Sequence, residues 1–269
     1  MSIGSTRVVA RSLSASTASS GSLDKVSESN LRELADTFAS ELTQTLATVA
    51  RPGSDSVVFE AVLLEDSPDV AFVQQAGSAA LELCTREGPL LDLEASYRCR
   101  RSQHRNFLAV VESKVRVTPH GATEPLVRYE FLETPHGIPA AHVQVHGDHP
   151  TWIGVFESIS GTRRARKHRR RQRVSDLHFP VGGRRFRPCL EDVLEMLILE
   201  FNVVPSPDQE TALEALRAGR AAWRAHQLGA AVADNPAVAV RVLTQLGYEV
   251  IWRGQRSEPE ARVDRLREL

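Results

Sequence analysis

The sequence predicts an α+β fold: an antiparallel β-meander sheet flanked by an N-terminal helix and a helical C-terminal part. Three observations point there. Apolar residues recur every three or four positions from Leu31 to Val49, which is helical spacing. From Ser56 to Gly147 the apolar segments are short and interrupted by turn residues, which is how strands read. From Leu190 onward the helical period returns. Strands that follow one another through short loops pair as antiparallel neighbours.

Taken in order, residues 1–22 are rich in Ser, Thr and Ala and read as a disordered tail. Asn30 followed by Glu33 looks like a capping box, so a helix is expected from there to about Ala50, ended by Arg51-Pro52-Gly53. Strands are expected within Ser56–Leu64, Ala80–Cys99, Phe107–Gly121, Pro125–Glu133 and Ala141–Gly147, with a further one at Trp152–Phe156. Arg86-Glu87-Gly88, His120-Gly121 and Pro135-His136-Gly137 supply the turns. Leu190, Val193, Leu194, Leu197, Ile198 and Phe201 mark an apolar helix that Asn202 to Pro207 break. A helical pair or trio follows, joined at Asp234-Asn235-Pro236, and a polar tail starts at Gly254. The expected organisation is a tail (1–22), an α+β domain (23–202), a helical C-terminal segment (203–253) and a polar tail (254–269).

The overall charge of −1 excludes a uniformly basic protein, so any nucleic-acid affinity has to come from a local patch. Three cysteines without a CxxC spacing argue against zinc and against a disulfide framework, and fit a reducing cytoplasm. The N-terminus lacks the continuous apolar run of a secretory signal, and no eighteen apolar residues run together, so no membrane span is expected. With no Gly-rich nucleotide loop and no GxSxG, no cofactor is expected and a small-molecule enzyme has little support. Cys189, beside Glu191 and Asp192, reads as a buried structural cysteine.

The most conspicuous segment is basic. Arg163, Arg164, Arg166, Lys167, Arg169, Arg170, Arg171 and Arg173 stand together without an acid, and Arg184, Arg185 and Arg187 follow. Arginine forks bind phosphates bidentately, and each neutralised phosphate releases a counterion. The competing readings are an acid-seeking surface for a protein partner and a solvated loop. Few aromatics are interleaved, which favours backbone contact over base stacking. Between these clusters, Val181-Gly182-Gly183 reads as a hairpin or bulge turn leading to Pro188 at the start of a helix.

Histidines gather close by. On a strand, His142 and His146 share a face, and His178 is expected on the next strand with Asp176 on its own face. Converging, His142, His146 and His178 could act as general acid and base on an RNA 2′-hydroxyl. The plainer reading is a polar strand face. A metal is not expected there, because His142 and His146 stand about 13 Å apart by strand rise.

The segment KHRRRQRVSDLHFPVGGRRFRPCLEDVLEMLI resembles the closing portion of the TumE-type toxins of bacterial toxin–antitoxin modules. The shared elements are a basic histidine-bearing strand (Lys167 to Arg171, His178), Gly182-Gly183, Phe186 and the helix from Leu190. The segment is also similar to uncharacterised actinobacterial proteins. The chain departs from the toxins in its greater length, its added C-terminal helices and the absence of acids just after Gly-Gly. The resemblance implies RNA-directed, ribonucleolytic activity and a neutralising partner.

The leading expectation is therefore a cytoplasmic protein that engages nucleic acid, RNA before DNA, through the arginine clusters. Metal-independent cleavage by the three histidines is its sharper form. The alternative is a non-enzymatic protein whose arginine loop or helical C-terminus docks onto another, acidic protein.

Overall fold

The structure is a computed structural model describing residues 20–50, 57–64, 67–102, 107–147, 174–254 and 259–267. It is an α+β arrangement of an N-terminal helix, an open eight-stranded antiparallel sheet and C-terminal helices. The expected strand at Trp152–Phe156 and the basic run Arg163–Arg173 lie outside the described residues.

Helix α1 spans Ser20–Ala47 and begins about ten residues before the expected cap at Asn30. Nothing in Ser22 to Ser29 breaks a helix, so the Asn30/Glu33 pattern falls inside it rather than at its start. Leu31, Ala35, Ala39, Leu42 and Leu46 form its buried stripe.

The strands are β1 (Phe59–Leu64), β2 (Ser67–Gln75), β3 (Leu81–Thr85), β4 (Gly88–Arg101), β5 (Leu108–Pro119), β6 (Val127–Leu132), β7 (Ala141–Val145) and β8 (Phe179–Pro180). Their order is β1-β2-β4-β5-β6-β7-β8, with β3 also on β4. The arrangement departs from a simple meander because β4 is fourteen residues long. Its first half pairs β3 and its second half pairs β2. The sequence pattern did not predict β2. Its Pro68, Asp69, Gln74 and Gln75 are weak strand formers, and pairing on both sides overrides them.

Strand alternation gives the sheet two unlike faces. Ala71, Val73, Leu93, Ala95, Cys99, Val115 and Val117 face α1 and are almost wholly buried. Tyr97 belongs to this core, with the Phe38 ring edge-on at 5.2 Å. The opposite face carries the cross-strand ion pairs Arg98–Glu112 (3.2 Å) and Arg116–Glu94 (3.1 Å), and Lys114–Glu112 (2.9 Å) along β5 itself.

After β8 the chain forms a single turn of helix, α2 (Gly183–Phe186), then α3 (Leu190–Phe201), α4 (Gln209–Asp234), α5 (Pro236–Gln245) and α6 (Val263–Leu266). Gly182–Gly183 is therefore a helix entry, not a hairpin, with Gly182 left-handed at φ 74°. Helix α3 starts after Cys189, whose amide donates to the Asp192 carboxylate at 3.0 Å, so Pro188 stands just outside it. Its Leu190, Val193, Leu194, Leu197 and Ile198 enter the same core as α1, as do Ala212, Leu213 and Leu216 of α4. The link between α3 and α4 is tied down by Val204 N–H on the Cys84 carbonyl and Ser206 N–H on the Thr48 carbonyl, both 2.8 Å. Among the described residues no helix is long and apolar enough to cross a membrane.

Candidate functional site

The β6–β7 register places Glu130 opposite His142 and Arg128 opposite Gln144, all on the sheet face away from α1. At this end of the sheet that face is covered. The 3₁₀ turn Val174–Asp176 lies over β7, and Gln144 donates its side-chain amide to the Ser175 carbonyl at 2.9 Å. His142 is consequently 0% exposed. Its Nδ1 lies 3.0 Å from the Pro139 carbonyl and its Nε2 3.2 Å from the Glu130 carboxylate. The hydrogen bond from His142 holds the Glu130 carboxyl below its ordinary range, against the opposing effect of its own burial.

Two of the three candidate histidines meet. The His178 ring stands edge-on to His142, with centroids 4.5 Å apart and planes at 74°. His178 directly precedes β8, which pairs Phe179 with Val143 and Pro180 with His142. His146 is separate, just past the end of β7, with its amide donating to the Leu126 carbonyl at 2.7 Å. It borders a cleft of about 220 Å³ with Glu124, Pro125, Leu126, Gly147, Val174 and Ser175. Burial, then the nearby Arg128, pushes its imidazole below the usual range. The carboxylate at His142 is Glu130, which sequence reasoning did not single out. The polar alternation of Arg128 and Glu130 within β6 was the available signal. Among the described residues no group of three or more His, Cys, Asp or Glu is placed to hold a metal ion.

Of the basic residues, Arg163, Arg164, Arg166, Lys167, Arg169, Arg170, Arg171 and Arg173 lie outside the described residues. Arg184, Arg185 and Arg187 all turn toward the protein. Arg184 donates to the Glu133 carbonyl at 2.8 Å, and the Glu133 carboxylate is also held by Arg100 at 3.0 Å. Arg185 pairs with the buried Asp234 at 2.6 Å, and Arg265 from α6 reaches the same carboxylate at 3.0 Å. Arg187 is only 9% exposed. Its guanidinium lies 3.8 Å from the Phe131 ring centroid and 5.5 Å from that of Trp223, and it donates to the Arg184 carbonyl. Burial, then the neighbouring Arg185, pulls its pKa down to about 10. A phosphate would have to displace these contacts to reach any of the three forks.

A different surface stands open. Helix α5 has no buried residue. Its Val238 and Val242, with Leu246 at the cap that follows, lie four apart on one stripe and are 38%, 43% and 69% exposed. Beyond it, Tyr248 and Ile251 are 62% and 58% exposed. The stripe is legible in the sequence, but a stripe signals only that something apolar should cover it. Among the described residues nothing buries it.

The chain matches no protein-family model, no curated protein and no solved structure.

Proposed function

We propose that this chain is a non-enzymatic interaction protein whose C-terminal helical part docks onto a protein surface. One observation carries the reading: α5 presents its apolar stripe to solvent. An isolated ten-residue helix is marginal in water, and amphipathic helices owe most of their stability to burying that stripe. The ion-paired sheet face and the arginines turned inward at Arg184, Arg185 and Arg187 make the sheet a scaffold in this reading. The test compares tagged wild-type chain with a Val242→Asp/Leu246→Asp variant as bait in an extract that also holds an untagged copy. The variant is expected to lose what the wild type retains, its own untagged copy included. Identical capture by both baits removes the reading.

A second reading has its own support. Seven arginines and one lysine without an acid between Arg163 and Arg173 favour a polyanion, RNA before DNA. Fluorescence anisotropy with labelled single-stranded RNA at low and moderate salt tests it. Affinity that falls steeply with salt, and that is lost when these eight residues become Gln or Ser, supports it. The toxin-like form, with cleavage by His142, His146 and His178, needs imidazoles within reach of a ribose. His142 is enclosed and His146 is apart from the other two, so this form requires the Val174–Asp176 cover to lift.

A further inference from the structure

We infer that the arm from Pro236 to Gly254 is a dimerisation arm whose occupant is a second copy of this chain. The inference rests on the interaction reading above and names its partner.

The arm is an excursion with a closed base. It leaves α4 at Asp234, and the chain returns to the same residue. The Arg262 amide donates to the Asp234 carbonyl at 2.8 Å, and Arg265 pairs with its carboxylate at 3.0 Å. Asp234 itself is 5% exposed and is also clasped by Arg185. The base is therefore anchored to α2, while the arm between carries the exposed apolar surface.

The size of that surface fits a dimer. Eight large apolar side chains between Val238 and Ile251 are 38–69% exposed. Leaving out Val240, which lies on the far side of the helix, and Val250, which points away from Ile251, the remaining six offer on the order of 600 Å² of apolar area, at the upper end of the ~300–600 Å² patch usual on a monomer and approaching the ~800 Å² per partner that a stable interface buries.

Its charge fits a copy of itself. Pro236 to Gly254 contains only Arg241, Glu249 and Arg253 as charged residues, and the whole chain carries −1. Such a surface neither selects an acidic or basic partner nor repels its own kind, and homodimer interfaces are the more apolar class. A twofold axis at the Val238/Val242/Leu246 stripe brings that stripe onto itself, the self-complementary arrangement of a symmetric dimer.

The test is sedimentation equilibrium of the full chain, from low to high micromolar concentration, beside a Leu246→Asp/Ile251→Asp variant. Both positions are exposed, so the variant should fold, and an unchanged far-UV circular dichroism spectrum checks that it has. The wild type is expected at twice the 29.7 kDa chain mass and the folded variant at the monomer mass. A dimer that persists in the variant places the contact elsewhere and overturns the inference. A wild type that stays monomeric throughout also overturns it. In that event the bait comparison separates the two claims. Proteins captured by wild type and lost by the charged arm leave the interaction reading standing, and identical capture removes both.

Discussion

His142 and Glu130 face each other across β6 and β7 with 3.2 Å between Nε2 and the carboxylate, and the imidazole is fully enclosed. The pair ties β7 to β6 at the point where β8 and the Val174–Asp176 turn attach. Replacing His142 by Ala leaves a largely buried carboxylate without its main donor and opens a cavity. The expected loss is about 2–4 kcal/mol in urea unfolding. A change below about 0.5 kcal/mol would mean that water or a neighbour takes over the contact.

The same pair sets a pH dependence. The folded pKa of Glu130 is lowered from its ordinary 4.5, chiefly by the His142 hydrogen bond. A lowered folded pKa means the unfolded chain binds the proton more readily, so stability falls as pH falls. The contribution is complete above the unfolded value and is lost as pH drops through the folded one. Glu130→Gln should therefore flatten part of the stability loss that sets in as pH falls through and below the ordinary 4.5. Equal slopes for variant and wild type would take Glu130 out of the acid sensitivity.

Arg187 tests whether a buried cation is needed beneath α4. A buried charge costs desolvation that stacking on Phe131 only partly offsets, so a well-filling apolar side chain should serve nearly as well. Arg187→Met is expected within about 1 kcal/mol of wild type, whereas Arg187→Ala should lose about 2–3 kcal/mol through the unfilled volume. A Met variant as unstable as the Ala variant would assign the guanidinium hydrogen bond to Arg184 the larger role.

At Gly182 the backbone has φ 74°, and a Cβ added there would lie 2.7 Å from the Phe186 carbonyl oxygen. Gly182→Ala should cost about 1–3 kcal/mol and lower the melting temperature, because neither the dihedral nor the backbone contact can give way cheaply. A melting temperature equal to wild type would show that the α2 turn rearranges without cost.

All three cysteines are buried, and burial pushes Cys99 up to about 12 and raises Cys189 as well. The native protein should react slowly with a disulfide reagent at mildly alkaline pH, and rapidly at all three thiols once unfolded. Rapid labelling of Cys189 in the native protein would contradict its place in the core.

The sequence by itself determined the elements whose signal is local. The periodic stripe of α1, the apolar helix Leu190–Phe201, the break at Asp234-Asn235-Pro236 and most strands follow from side-chain spacing and from turn residues, which act within a few positions. Helix α1 ran past its apparent cap because a capping pattern cannot stop a helix when nothing in Ser22 to Ser29 breaks one. Strand β2 was illegible because its strand character comes from β1 and β4 on either side. Tertiary structure alone decided the site. It set Glu130 as the carboxylate at His142, brought His178 to that ring and left His146 apart. It also turned Arg184, Arg185 and Arg187 inward and left the α5 stripe outward. Each of these depends on strand register or on which surface covers which, and a linear pattern carries neither.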